Sequence, residues 1–126
     1  MQKIFFLLLA LYSLLLSENL NQASTYEDAI QQAQAEHKMV LLFLYSNNCP
    51  WCKKMKETTL HDAKAIAFIN KHYIFLSLNK DTKEYPKAFF PRFIPTTYSI
   101  NPQTQEEIYA LYGYKTSEQL INELSD

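Results

Sequence analysis

Met39-Val40-Leu41-Leu42-Phe43-Leu44-Tyr45 is apolar at every position, with no alternation. That is the pattern of a strand buried on both faces. A polar triplet, Ser46-Asn47-Asn48, interrupts it before Cys49-Pro50-Trp51-Cys52 and Lys53-Lys54-Met55-Lys56. Proline suits the first helical turn, where its missing N–H has no partner to lose, so a helix is expected from the cysteines to about Thr59. Upstream, Ser24-Thr25-Tyr26-Glu27 has the form of a capping box. It opens a helix to about Lys38 with Tyr26, Ala29, Ile30, Ala33 and His37 on one face. Downstream, Asp62 caps another helix, or the second half of a bent one, to about His72, with Ile66 and Ile69 inward. Tyr73–Leu78 is a second apolar strand, parallel to the first because a helix separates them.

Asn79–Phe93 is irregular, punctuated by Pro86 and Pro91. Thr96–Ile100 and Glu106–Tyr112 follow as strands joined by a turn at Asn101-Pro102. Gly113 then lets the chain bend, and Thr116-Ser117-Glu118-Gln119 caps a last helix burying Leu120, Ile121 and Leu124. The order is α-β-α-β-β-β-α, which predicts an α/β fold: a mixed central sheet with helices on both faces.

The N-terminus has a different character. Behind Lys3, Ile4–Leu16 is apolar apart from Ser13. The run is the size of a signal-peptide core and well short of the ~20 residues that span a bilayer. Residues 1–23 are therefore expected to be a signal peptide and 24–126 the domain. Two cleavage points fit: after Ala23, with Asn21 two positions earlier, or after Ser17, with Leu15 in that place. No cysteine follows the run, so no lipid anchor is expected. The expected destination is the periplasm or the exterior, an oxidising compartment.

The 126 residues are 48% hydrophobic with a formal net charge of −1 and a pI near 6.3. That suits one domain with its own core and excludes an electrostatic footprint for nucleic acid. The chemistry lies with the cysteines. At a helix start, free backbone N–H groups and the positive dipole end favour the Cys49 thiolate. Such settings lower a thiol pKa from about 8.5 to roughly 3.5–7.5. Cys49 is thus the candidate nucleophile, and Cys52, one turn on, can close a disulfide behind it. A purely structural disulfide is a weak alternative, because so short a loop contributes only about 2 kcal/mol. Half a metal site is another, copper above all, but His37, His61, His72 and the methionines show no paired spacing. Lys53, Lys54 and Lys56 form a solvated face with a minor role in supporting the thiolate. Trp51 is expected to be exposed and to contact substrate, whereas Tyr85, Phe89, Phe90 and Phe93 fit the core better than a substrate groove.

Taken together, the buried strand, Cys49-Pro50-Trp51-Cys52 at a helix start, Phe93-Ile94-Pro95-Thr96 before a hairpin, and Tyr112-Gly113-Tyr114 before the last helix resemble the thioredoxin family. The resemblance covers nearly all of residues 25–126. With the secreted context, it looks most like bacterial periplasmic thioredoxin-like proteins, of which the terminal domain of the disulfide reductase DsbD is a related example. It implies a thioredoxin-like fold and a thiol–disulfide oxidoreductase with Cys49 and Cys52 catalytic. It also implies that Pro95 is cis and faces the cysteines, with Ile94 offering backbone hydrogen bonds to an extended substrate. Trp51, Ile94 and Pro95 are therefore the expected substrate contacts. No cofactor or metal is called for. The implied partners are protein disulfides or dithiols and a protein redox partner, such as a membrane electron conduit, acting on a monomer.

Three departures from the family stand out. Thioredoxins carry a buried aspartate six residues before the first cysteine; here that residue is Phe43. The tryptophan before the first cysteine is Asn48, and the Gly-Pro pair is Pro50-Trp51. Proline followed by an aromatic residue resembles glutaredoxins, but their glycine pair is absent, since Gly113 is the only glycine. The pair also lacks the histidine often found in oxidants, and hydrated lysines are screened within about 10 Å. Ile94 before Pro95 resembles thioredoxin itself. The expected direction is therefore reduction of protein disulfides, with an oxidant or isomerase as the alternative. A copper- or haem-delivery module using the same thiols is the alternative from another class.

Overall fold

The computed structural model of the chain describes residues 1–15 and 18–126. Leu16 and Ser17, and with them the end of the apolar run and the cleavage point after Ser17, lie outside the described residues. Strand β1 (Met39–Tyr45) forms the middle of the sheet. It pairs in parallel with β2 (Tyr73–Asn79) on one side and antiparallel with β3 (Thr96–Ile100) on the other. Strand β4 (Glu107–Tyr112) pairs antiparallel with β3, giving the order β2-β1-β3-β4. The expected mixed sheet is thus present, with the two unalternating apolar strands adjacent.

Helices cover both faces, which is why those strands carry no polar face. Val40, Leu42 and Leu44, with Ile74, Leu76 and Leu78, meet Tyr26, Ala29, Ile30 and Ala33 of helix α2 (Tyr26–Glu36). Leu41 and Phe43, with Tyr73 and Phe75, point the other way. There they meet Met55 of α3 (Pro50–Glu57), Ile69 of α4 (Ala63–His72), and Leu120 and Leu124 of α5 (Ser117–Leu124). Each buried Leu, Ile or Phe contributes about 1.5–3 kcal/mol relative to exposure. The remaining helix, α1 (Gln2–Leu15), leaves Ile4 through Leu8 exposed, and no described helix is long and apolar enough to cross a membrane.

The helix ends test the capping signals. Asp62 caps α4 by accepting from the Ala65 amide at 3.2 Å. Thr116 and Gln119 form the reciprocal box of α5, at 3.2 and 3.0 Å. At α2 the cap is Thr25, one residue later than expected, accepting from Asp28 at 3.1 Å. The cause lies upstream, where residues 21–23 run beside β2. The Ala23 amide donates to the Phe75 carbonyl (2.9 Å) and the Phe75 amide to that of Asn21 (3.0 Å). Ala23 is buried, so the chain is held extended there and the helix starts only at Tyr26. Asn70 of α4 reinforces the attachment, accepting from the Asn21 amide (2.7 Å) and donating to the Asn19 carbonyl (2.6 Å).

Other local expectations shift as well. His37 leaves the buried face of α2, because it turns left-handed (φ 55) at the helix end and is exposed. The helix from the cysteines stops at Glu57, where Thr58 hydrogen-bonds the Lys54 carbonyl; a 3-10 turn over Thr59–His61 then separates it from α4. In α5 only Leu120 and Leu124, one turn apart, are buried; Ile121 lies around the helix and is half-exposed.

Candidate active site

The register brings three loops to one end of the sheet. Leu44 lies opposite Thr96, and Thr96 opposite Tyr112. The C-terminal end of β1, the N-terminal end of β3 and the C-terminal end of β4 therefore coincide. Cys49 follows the first, Ile94-Pro95 precedes the second, and Gly113 follows the third. Gly113 has φ 80, the left-handed region that favours glycine, and its amide donates to the Pro95 carbonyl at 2.8 Å. The Ile94–Pro95 bond is cis, with Pro95 buried and Ile94 half-buried. The loop beside them is pinned by Asn79, whose side-chain amide donates to Asn47 at 3.2 Å.

Cys49 is the N-cap of α3 and Pro50 stands in the first turn, as the spacing predicts. The Cys49 sulfur accepts the Cys52 amide at 3.2 Å, the hydrogen bond that would favour a thiolate there. The two cysteines are joined as a disulfide with Cα atoms 5.3 Å apart. They differ in access: Cys49 is half-buried, while Cys52 is only 2% exposed.

The surroundings are aromatic and cationic. Trp51 is 56% exposed and lies 5.7 Å from the Tyr114 ring. Lys54 sits 5.1 Å above the one and 4.8 Å above the other. The Tyr114 phenol is held below its ordinary pKa, first by its hydrogen bond with Thr58 and in part by the Lys54 charge. Lys53 reaches Glu57 at 3.9 Å across exposed side chains, a pair worth little in water. Lys56 turns the other way, its ammonium 3.0 Å from the centre of the Tyr45 ring, and burial lowers its pKa. Its backbone carbonyl contacts the His61 ring at 2.5 Å.

Sequence pattern misassigned two aromatics here. Phe89 is buried against Tyr26 and Tyr98 and Tyr85 is half-buried, as core residues should be. Phe90 (57% exposed) and Phe93 (62%) stand in solvent, Phe93 edge-on to the exposed Tyr112 at 5.8 Å. The 3-10 turn over Lys87–Phe89 directs one ring inward and the next one outward. Phe43, in the place of the family's aspartate, is fully buried among Leu41, Met55 and Phe75. The histidines are dispersed, and among the described residues no three His, Cys, Asp or Glu side chains come together as a metal site would require.

Several solved structures share this architecture. A thioredoxin from Thermus thermophilus is 24% identical, with 85% of each chain covered and a TM-score of 0.73. The C-terminal domain of Neisseria meningitidis DsbD in the oxidised form is 19% identical, covering 79% of this chain and 90% of that one, with a TM-score of 0.62. A DsbH oxidoreductase is 17% identical over 85% and 83%, with a TM-score of 0.68. At such identities the likeness is one of fold. No curated protein matches the sequence. A family model, described as a thioredoxin-like domain, matches residues 26–126. The chain belongs to the thioredoxin-like family, and its Cys49–Cys52 pair at a helix start makes it a thiol–disulfide oxidoreductase.

Proposed function

We propose that the protein is an exported, periplasmic reductase of protein disulfides. The observation that carries this reading is the unequal access of two cysteines at one helix start, Cys49 capping α3 and Cys52 buried behind it. The Cys49 thiolate attacks a substrate disulfide, forming a mixed disulfide and releasing one substrate thiol. Cys52 then attacks Cys49 and releases the second. Two electrons pass to the substrate, and a protein dithiol donor, such as a membrane electron conduit, restores the pair. Trp51, the Ile94 backbone and Pro95 contact the extended substrate beside Cys49. The direction follows from the thiolate support: a helix start and a peptide hydrogen bond, with no histidine between the cysteines.

Two measurements test this reading. Reduced protein is expected to reduce insulin disulfides with dithiothreitol as donor. In urea, the disulfide form is expected to be the more stable by about 2 kcal/mol, the entropy of closing so short a loop. A clearly more stable dithiol form would make the protein an oxidant.

The exported form is expected to lose the N-terminal segment. We place the cut after Ser17, because Asn21–Ala23 pair with the β2 edge, which would otherwise carry unpaired Phe75 groups. Mass spectrometry of the native protein should find Glu18 at the N-terminus. An intact Met1 in the membrane fraction would exclude removal of the segment, and a chain starting at Ser24 would exclude this cut.

A further inference from the structure

Resolution of the mixed disulfide needs the Cys52 thiolate, yet Cys52 is 2% exposed and burial raises a thiol pKa. A proton acceptor beside it would therefore speed the step. A cavity of about 630 Å³ opens onto the site, lined by Cys49 and Cys52 with Tyr45, Asn48, Lys53 and Lys56 among the rest. Among the described residues no carboxylate lines it. The position on β1 that could have carried one beneath α3 is the buried Phe43.

The remaining titratable groups can be sorted by position. Lys53 is 76% exposed and reaches Glu57. Tyr45, on β1, presents its ring face to Lys56. From the 3-10 turn, His61 is engaged with the Lys56 carbonyl. Lys56 itself lies one helical turn beyond Cys52, lines the same cavity, and has no carboxylate within ion-pair distance among the described residues.

We propose that Lys56 is the proton acceptor for Cys52 in the resolving step, an assignment that rests on the oxidoreductase reading above. The neutral Lys56 amine takes the Cys52 Sγ proton. The thiolate attacks Cys49 Sγ; the Cys52–Cys49 bond forms and the bond from Cys49 to the substrate breaks. The electron pair leaves with the substrate thiolate, which takes its proton from the Lys56 ammonium or from water. Both cysteines end oxidised and the substrate sulfur reduced. Desolvation supports the role by drawing the Lys56 pKa down from 10.5 while burial draws the thiol up, so the two approach each other. A lowered pKa means that more neutral amine is present at any given pH, and its share rises as pH climbs towards the folded value.

Ellman's reagent separates the two steps, because the first chromophore released reports Cys49 attack and the second reports Cys52 resolution. Lys56→Met removes charge and base together. Lys56→Arg keeps the charge but cannot give up a proton at accessible pH. With Lys56 as acceptor, the second phase, relative to the first in the same trace, falls roughly 10²-fold near neutral pH in both variants. Its pH profile in both moves upward, towards that of a buried thiol ionising into solvent. If Lys56→Arg matches the wild type, the charge alone matters and the proposal fails. It fails equally if Lys56→Met matches. A wild type that releases only one equivalent of chromophore would overturn the oxidoreductase reading itself, and this assignment with it.

Discussion

Cys52→Ser is expected to accumulate mixed disulfides with partner proteins, while Cys49→Ser traps at least about tenfold less. Both variants should lose insulin reduction down to background. The asymmetry has two sources. Cys49 caps α3, accepts the Cys52 amide and is accessible, so its thiolate is supported where a substrate can reach it. Cys52 is shielded, and a buried thiol without a hydrogen-bond network ionises less readily. Each unit of pKa difference is about tenfold in thiolate fraction when both groups titrate above the working pH. Non-reducing gels of cells expressing each variant supply the comparison. Equal trapping would erase the assignment, and stronger trapping by Cys49→Ser would reverse it.

Phe43→Ala is expected to destabilise the fold by roughly 3–5 kcal/mol, lowering Tm by roughly 15–25 °C for a domain of this size. Phe43 has no exposed surface, pairs in register with Ser77 of β2 and Thr97 of β3, and lies 6.3–6.4 Å from the rings of Tyr45 and Phe75. It also lies in the layer that supports Met55 of the cysteine-bearing helix. Phe43→Leu, which leaves less empty volume, should cost distinctly less. Urea unfolding of the three proteins decides the point. A loss under about 1 kcal/mol for Phe43→Ala would mean that this layer relaxes around the void. Phe43→Asp, which restores the family's residue, should be worse than Phe43→Ala, because a carboxylate would enter an apolar layer with no built partner.

Much of the architecture was legible locally. The apolar runs at 39–45, unbroken, and 73–78, broken only by Ser77, mark the two strands covered on both faces, because a strand with helices above and below has little need of polar positions. Asp62 and Thr116 mark helix starts because a side-chain oxygen at that place satisfies a free amide whatever the rest of the chain does. The cysteine pair belongs to the same class: Pro50 sets the first turn of α3, and the position of Cys49 before it makes that sulfur the cap.

What required the tertiary structure depends on groups far away in sequence. Residues 21–23 carry no strand pattern, yet the open edge of β2 holds them extended and thereby moves the cap of α2 from Ser24 to Thr25. Phe89 and Phe90 are alike in sequence, but only one side of that turn faces Tyr26 and Tyr98, so one ring is buried and the other is wet. Ile94-Pro95 joins the cysteine end of the sheet through the register that sets Leu44 against Thr96. Lys56 looked like one of three solvated lysines; its rotation on α3 lays it against Tyr45 and leaves it half-buried. Local pattern determines which face of an element is apolar and where its ends are satisfied. Only the packed chain decides what stands opposite each face, and burial, access and proton affinity all follow from that.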